Sequence, residues 1–83
     1  MKQITLSCAT LKTKDALHVA LAEALDFPDW YGANLDALYD CLQDLDDPVH
    51  LHLTDWDSLP DWREGFAAVF ADAACPDFTV TYA

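Results

Sequence analysis

The stretch Val49-His50-Leu51-His52-Leu53, which follows Pro48, alternates apolar and polar side chains along the chain. A period of two is typical of a β-strand, with the three apolar side chains on one face and both histidines on the other. The segments from Lys2 to Cys8 and from Phe78 to Tyr82 alternate in the same way. The sequence therefore predicts three short strands.

Helical periodicity fills the segments between these strands. Thr13 is predicted to cap a first helix, and Asn34 to cap a second one that runs from about Leu35 to Leu45. A short helical turn is predicted after Asp55, and a last helix with Asp61 as its cap. The order strand, helix, helix, strand, helix, strand predicts one small layered α/β domain over residues 1–83, with a three-stranded parallel sheet and helices packed on both of its faces.

The charge of the chain is strongly unbalanced. Fifteen Asp and Glu stand against four Lys and Arg, which gives a formal net charge of -11. From Asp15 to Trp62 there are 12 carboxylates and no Lys or Arg. This charge excludes nucleic acid as a partner and an anionic membrane surface as well, because both are bound through cationic side chains. A cationic partner is favoured, although acidity alone also serves solubility.

Other global signals exclude several further classes. The three cysteines, Cys8, Cys41 and Cys75, lack the paired spacing of a zinc site and do not indicate a disulfide framework. No stretch approaches the length of a membrane span, and the first residues do not resemble a secretory signal. A reducing cytoplasm is the expected location.

The second predicted helix divides into two faces. Leu35, Leu38, Leu42 and Leu45 share one arc, which is predicted to be core, and Asp36, Tyr39, Asp40 and Gln43 share the opposite arc. Two carboxylates one turn apart repel each other, and no Lys or Arg lies nearby in the sequence to offset that repulsion. The pattern indicates either a solvated face or a binding surface for cations.

The residues around this helix carry a family resemblance. Trp30-Tyr31-Gly32-Ala33-Asn34-Leu35-Asp36-Ala37-Leu38-Tyr39-Asp40-Cys41-Leu42 resembles the segment Y-Y-G-x-N-L-D-A-L-W-D-C-L of the barstar family, intracellular protein inhibitors of the bacterial ribonuclease barnase. Weaker similarity extends over the whole chain, and the order of elements agrees. The resemblance implies a barstar-like fold and a non-enzymatic monomer that needs no cofactor and blocks a cationic ribonuclease in a 1:1 complex.

The same resemblance assigns roles to individual residues. Asp40 would occupy the phosphate site of the enzyme, Asp36 would pair with a neighbouring cation, and Trp30 and Tyr39 would supply aromatic contacts. The implied partner-binding residues are Trp30, Tyr31, Gly32, Asn34, Asp36, Tyr39, Asp40, Gln43, Asp44 and Asp72. Leu45 and Asp44 depart from the family, which has Trp and Gly at these positions, and this bears on which enzyme is recognised.

The sequence leaves three other interpretations open. The same acidic surface could serve an immunity protein or antitoxin that acts against a different basic toxin or a nucleic-acid-binding protein. Asp36 and Asp40 could act as acid and base in a small hydrolase, although no nucleophile or metal motif accompanies them. His50 and His52 could bind a metal, but packing at the sheet boundary is favoured because no third ligand is suitably spaced.

Overall fold

The computed structural model describes residues 2–83 and contains one sheet of three parallel strands. The strands are β1 (Lys2–Ser7), β2 (Val49–Thr54) and β3 (Phe78–Tyr82), and β2 lies between the other two. The α-helices are α1 (Lys14–Leu25), α2 (Leu35–Gln43) and α3 (Arg63–Ala73), and a short 3-10 helix spans Trp56–Ser58. The predicted fold class and element order are therefore confirmed.

The core lies on one face of the sheet. Ile4, Leu51 and Phe78 come from the three strands and belong to one buried cluster with apolar residues of all three α-helices. On the other face, Gln3 and Thr81 are exposed, and His50, His52, Thr54 and Thr79 are half-buried. The prediction of helices on both faces is wrong, because each strand alternates polar with apolar side chains and thus offers one apolar face only.

The histidines on that polar face are held by threonines of β3. His50 forms hydrogen bonds through Nδ1 with Thr79 Oγ1 at 2.7 Å and through Nε2 with Thr81 Oγ1 at 3.1 Å. His52 Nδ1 lies 2.7 Å from the same Thr81 oxygen. Both histidines are half-buried at the polar face of the sheet. Residues 2–83 contain no group of three or more His, Cys, Asp or Glu side chains that could hold a metal ion.

Two of the predicted helix caps are present. Thr13 Oγ1 accepts a hydrogen bond from the Ala16 N–H at 3.1 Å, and Asn34 Oδ1 accepts one from the Ala37 N–H at 2.8 Å. Each cap satisfies a backbone donor that the first turn of a helix leaves unpaired. These two caps place the starts of α1 and α2 where the sequence predicts them.

Two predicted helix boundaries differ from the structure, and the predicted start after Asp55 lacks a side-chain cap bond. Asp61 does not cap α3: the helix begins at Arg63 after Trp62, and the Asp61 backbone carbonyl, not its carboxylate, accepts a hydrogen bond from the Glu64 N–H at 3.1 Å. Asp55 precedes the 3-10 helix but makes no side-chain cap bond, because its backbone is left-handed with a φ of 55°. Helix α2 ends at Gln43 instead of Leu45, since the backbone of Asp44 leaves helical geometry with φ -97° and ψ 8°.

Helices α2 and α3 approach each other closely at Gly65. A Cβ atom at this position would lie 2.9 Å from Leu35 Cδ1, which is closer than carbon atoms pack. A side chain at Gly65 would therefore require the Leu35 side chain to move. No helix within residues 2–83 is both long and apolar enough to cross a membrane.

Candidate functional site

The outward face of α2 carries the charged and aromatic residues that the sequence predicts. Asp36, Tyr39, Asp40 and Gln43 are exposed, whereas Leu38 and Leu42 are buried on the opposite side of the helix. The helix orientation follows from burying the leucines, because an amphipathic helix turns its apolar side to the core. Burial of the leucines thus fixes the side on which both carboxylates emerge.

A shallow cavity of about 450 Å³ lies between α2 and α3. Asp36, Tyr39 and Asp40 form its α2 side, and Asp72 of α3 lies on the other side. Leu35 and Val69 supply apolar lining. The structure thus brings together four predicted residues, Asp36, Tyr39, Asp40 and Asp72, which we call the acidic face.

The carboxylates of the acidic face have no cationic partner among the described residues. Within residues 2–83, the only ion pair joins Arg63 to Asp57, with an N–O distance of 3.8 Å. Arg63 also donates from Nη1 to the backbone carbonyls of Asp57 and Leu59, so its guanidinium is directed towards the 3-10 helix. Asp36 does have a favourable position in the first turn of α2, where the helix dipole favours negative charge.

Trp30 lies on the loop between α1 and α2 and is 61% exposed. It borders a second cavity, of about 250 Å³, together with Asp44, Leu45, Asp46 and other residues near the C-terminal end of α2. Trp30 and Asp44, both predicted partner contacts, are thus brought together, but in a cavity distinct from that of the acidic face. Gln43, Gly32 and Asn34 are exposed and line neither of the two cavities.

Tyr31 and Asn34 make contacts within the chain. Tyr31 is half-buried, and its hydroxyl lies 2.5 Å from His18 Nδ1. Burial raises the pKa of Tyr31 to about 12, so the hydroxyl stays protonated at neutral pH. Asn34 Nδ2 donates to the Gly32 carbonyl at 3.4 Å, in addition to the cap at Ala37. Both side chains therefore shape the loop whatever they contact in a partner.

Sequence reasoning missed the part that Leu35 and Val69 play in this surface, and it missed the contact that His18 makes with Tyr31. Leu35 was assigned to the core, yet it is half-buried and lines the cavity of the acidic face together with Val69. Its position at the edge of the apolar arc of α2 could have indicated this partial exposure. The contact between His18 and Tyr31 joins residues 13 positions apart, and no local pattern predicts such a pair.

The three cysteines are free thiols. Cys8 and Cys41 are buried and Cys75 is exposed. Burial raises the pKa of the Cys8 and Cys41 thiols, which are therefore protonated at neutral pH and not poised as nucleophiles. Cys41 is 4% exposed and lies on the buried side of α2 with Leu38 and Leu42.

The fold is that of a small α/β domain, and helices α2 and α3 present the acidic face. Residues 1–78 match the sequence model of the family described as Barstar (barnase inhibitor), and the chain belongs to the barstar family. The family is one of inhibitors and not of enzymes, so the hydrolase interpretation is not supported.

A relative in Bacillus subtilis (strain 168), named "Putative ribonuclease inhibitor YrdF", is 48% identical to this chain over 42 residues. That alignment covers 51% of the chain and 46% of the relative, so the match spans less than half the length of the relative. The name of this relative agrees with the description of the family.

Proposed function

We propose that the chain inhibits a cationic ribonuclease of the barnase type by inserting the acidic face into the active site of the enzyme. The observation that carries this proposal is the meeting of Asp36, Asp40 and Asp72 around one cavity with no cationic partner among residues 2–83. Membership of the barstar family and the name of the Bacillus subtilis relative support a ribonuclease as the target.

The electrostatics of the acidic face suit such a target. An enzyme that binds and cleaves RNA presents cationic side chains where substrate phosphates bind. Carboxylates that are held on rigid helices can take the place of those phosphates and form charge-assisted hydrogen bonds with Arg, Lys or protonated His. Because Asp36 and Asp40 already repel each other in the free protein, binding to cations relieves a cost that is present before binding.

Tyr39 and the loop residue Trp30 complete the proposed contact surface. Tyr39 is 38% exposed and Trp30 is 61% exposed, so both rings are available to a partner. Aromatic side chains are enriched among residues that dominate binding energy, since they bury large areas with few rotatable bonds. We assign charge recognition to the acidic face and apolar contact to Tyr39 and Trp30. The border of the proposed contact surface is assigned to Tyr31, Gly32, Asn34, Gln43 and Asp44.

We place the complex in the cytoplasm, with one inhibitor per enzyme. Three free thiols, two of them buried, are compatible with a reducing compartment. An inhibitor in that compartment would protect the cell that makes the ribonuclease, which is the role of an immunity protein.

The test is a titration of RNA hydrolysis. Barnase and other basic ribonucleases are assayed with increasing amounts of the chain, and calorimetry measures the stoichiometry. The proposal expects complete inhibition of at least one enzyme at a 1:1 ratio, with no RNA or nucleotide turnover by the chain alone. Lack of inhibition together with binding to a basic toxin that is not a ribonuclease would favour the immunity interpretation with a different target.

A further inference from the structure

The core contains a single buried polar side chain within residues 2–83, that of His18 on α1, which is 4% exposed. Its ring packs against Phe66 of α3, with the ring centroids 4.7 Å apart. A buried imidazole costs free energy unless its nitrogens find hydrogen-bond partners. An apolar residue could fill this position without needing hydrogen-bond partners. The use of a histidine here therefore points to a role for its hydrogen bond.

That contact is a hydrogen bond to the loop that carries Trp30. His18 Nδ1 lies 2.5 Å from the Tyr31 hydroxyl, and the two ring centroids are 5.8 Å apart. Burial lowers the pKa of His18, while the nearby Asp15 acts more weakly in the opposite direction. The imidazole is therefore neutral near pH 7, and the hydrogen bond joins a neutral His18 to a neutral Tyr31.

Phe27 and Tyr31 of this loop also pack against the core, but among residues 2–83 the bond to His18 is the only side-chain hydrogen bond that joins residues 27–33 to α1. Tyr31 N–H donates to the Pro28 carbonyl at 3.0 Å, a bond within the loop itself, and the Tyr31 ring packs on Phe27 at 4.9 Å. Ala33 has a φ of 51°, a left-handed conformation that is unfavourable for a residue with a Cβ. A strained backbone persists only where surrounding contacts hold it in place.

We propose that the hydrogen bond between His18 and Tyr31 is a positioning contact, which holds the loop of residues 27–33 in the conformation that presents Trp30 to the partner. The inward direction of Tyr31 leaves its neighbour Trp30 facing solvent beside the C-terminal part of α2. The inference rests on the proposed function as far as the partner is concerned. The restraint on the loop is a property of the free protein and is tested separately.

The first experiment measures amide hydrogen exchange in the free protein. Tyr31→Phe removes the hydroxyl and keeps the ring, and His18→Phe removes the ring nitrogens. Because a hydrogen bond contributes a factor of a few in an equilibrium constant, exchange in segment 27–33 should become about three- to tenfold faster in either variant. Exchange in α3 provides the reference for changes in overall stability.

Tyr82→Phe is the matched control, because it removes a hydroxyl from a tyrosine at the C-terminal end of β3. It should leave exchange in the loop unchanged. If Tyr31→Phe and His18→Phe also leave loop exchange unchanged relative to α3, the inference is overturned. This result would not depend on whether any ribonuclease is bound.

The double variant His18→Phe/Tyr31→Phe separates positioning from stability. Replacing both polar partners by apolar rings removes the unsatisfied group that each single variant leaves behind, so the melting temperature should recover towards that of the wild type. The loop should nevertheless stay faster in exchange, and the dissociation constant for the inhibited ribonuclease should rise by about two- to tenfold, because the loop must then be ordered on binding.

Recovery of stability, loop exchange and affinity together in the double variant would overturn the inference, because the contact would then be only structural. If the wild type inhibits no ribonuclease while the exchange results agree with expectation, the proposed function fails and the restraint on the loop stands.

Discussion

Gly65 of α3 lies against Leu35 of α2, so closely that a Cβ atom on Gly65 would come within 2.9 Å of Leu35 Cδ1. Leu35 also lines the cavity of the acidic face. Leu35 shares that lining with Asp36 and Asp40 of α2 and with Asp72 of α3. A side chain at Gly65 that displaces Leu35 would therefore change the lining of the candidate binding surface.

We predict that Gly65→Val destabilises the domain by about 1–3 kcal/mol, because the added side chain must displace Leu35. Affinity for an inhibited ribonuclease should fall as well, since a displaced Leu35 changes the lining of the acidic face. Thermal unfolding and titration calorimetry measure the two effects. Ala68→Val places the same side chain at an exposed position of α3 and should cost only the small difference in helix propensity. Equal melting temperatures for the two variants would contradict this account.

Leu38→Ala tests the orientation of α2. Leu38 is completely buried, and its truncation should destabilise the fold by about 2–5 kcal/mol through lost burial and a residual cavity. Gln43→Ala, at an exposed position of the same helix, should change stability by less than about 0.5 kcal/mol. Chemical denaturation of both variants provides the measurement. An unaltered unfolding curve for Leu38→Ala would mean that the buried face of α2 is a different one.

Much of this fold could be predicted from local patterns. The alternation at Val49 to Leu53 predicts a strand, and the caps Thr13 and Asn34 predict helix starts, because each signal acts over a few residues. The cap at Asp61 failed for a physical reason: Pro60, Asp61 and Trp62 accept backbone hydrogen bonds in a tight turn that precedes the helix. Whether α3 begins after Asp61 or after Trp62 is therefore decided by packing beyond the local sequence.

Only part of the candidate site could be predicted from the sequence. The spacing of Asp36 and Asp40 places both on one face of a helix, and this followed from periodicity alone. Asp72 joins these residues through the packing of α3 on α2, which links two separate parts of the chain. The single apolar face of the sheet, in contrast, is already contained in the alternation of the three strands, because each strand has apolar side chains on one side only.

Asp40→Ala should weaken ribonuclease binding more than any other single substitution of an aspartate. Its carboxylate emerges from the middle of the proposed contact surface, where a partner excludes water most completely. Loss of such a residue typically costs at least about 2 kcal/mol, or roughly thirtyfold in the dissociation constant. The measurement is calorimetry or surface plasmon resonance with the inhibited enzyme.

Asp61→Ala is the control for that substitution. It removes the same charge from an exposed position whose side chain makes no cap bond with α3, so both affinity and stability should change little. A dissociation constant for Asp40→Ala that equals that of Asp61→Ala would refute the central role of Asp40.

Association with the ribonuclease should slow as ionic strength rises. The net charge of -11 attracts a cationic enzyme over distances that salt shortens, because the screening length falls from about 30 Å at 0.01 M to about 8 Å at 0.15 M. Stopped-flow measurements over this range should show a decrease in the association rate constant, with a smaller change in the dissociation rate constant. An association rate that is independent of salt would exclude electrostatic steering by the acidic face.

The stability of the free protein should decrease as the pH falls below about 6.5, the ordinary pKa of a histidine. Burial lowers the pKa of His18 in the folded protein, so between that lowered pKa and 6.5 the unfolded chain binds a proton that the folded one does not. The free energy of unfolding therefore drops with pH through this window, by at most about 1.4 kcal/mol per pH unit for one proton, and levels off below the folded pKa. Denaturation curves between pH 7.5 and pH 5 for the wild type and for His18→Gln provide the measurement. The slope should be smaller in the variant, and parallel curves would show that another group takes up the proton.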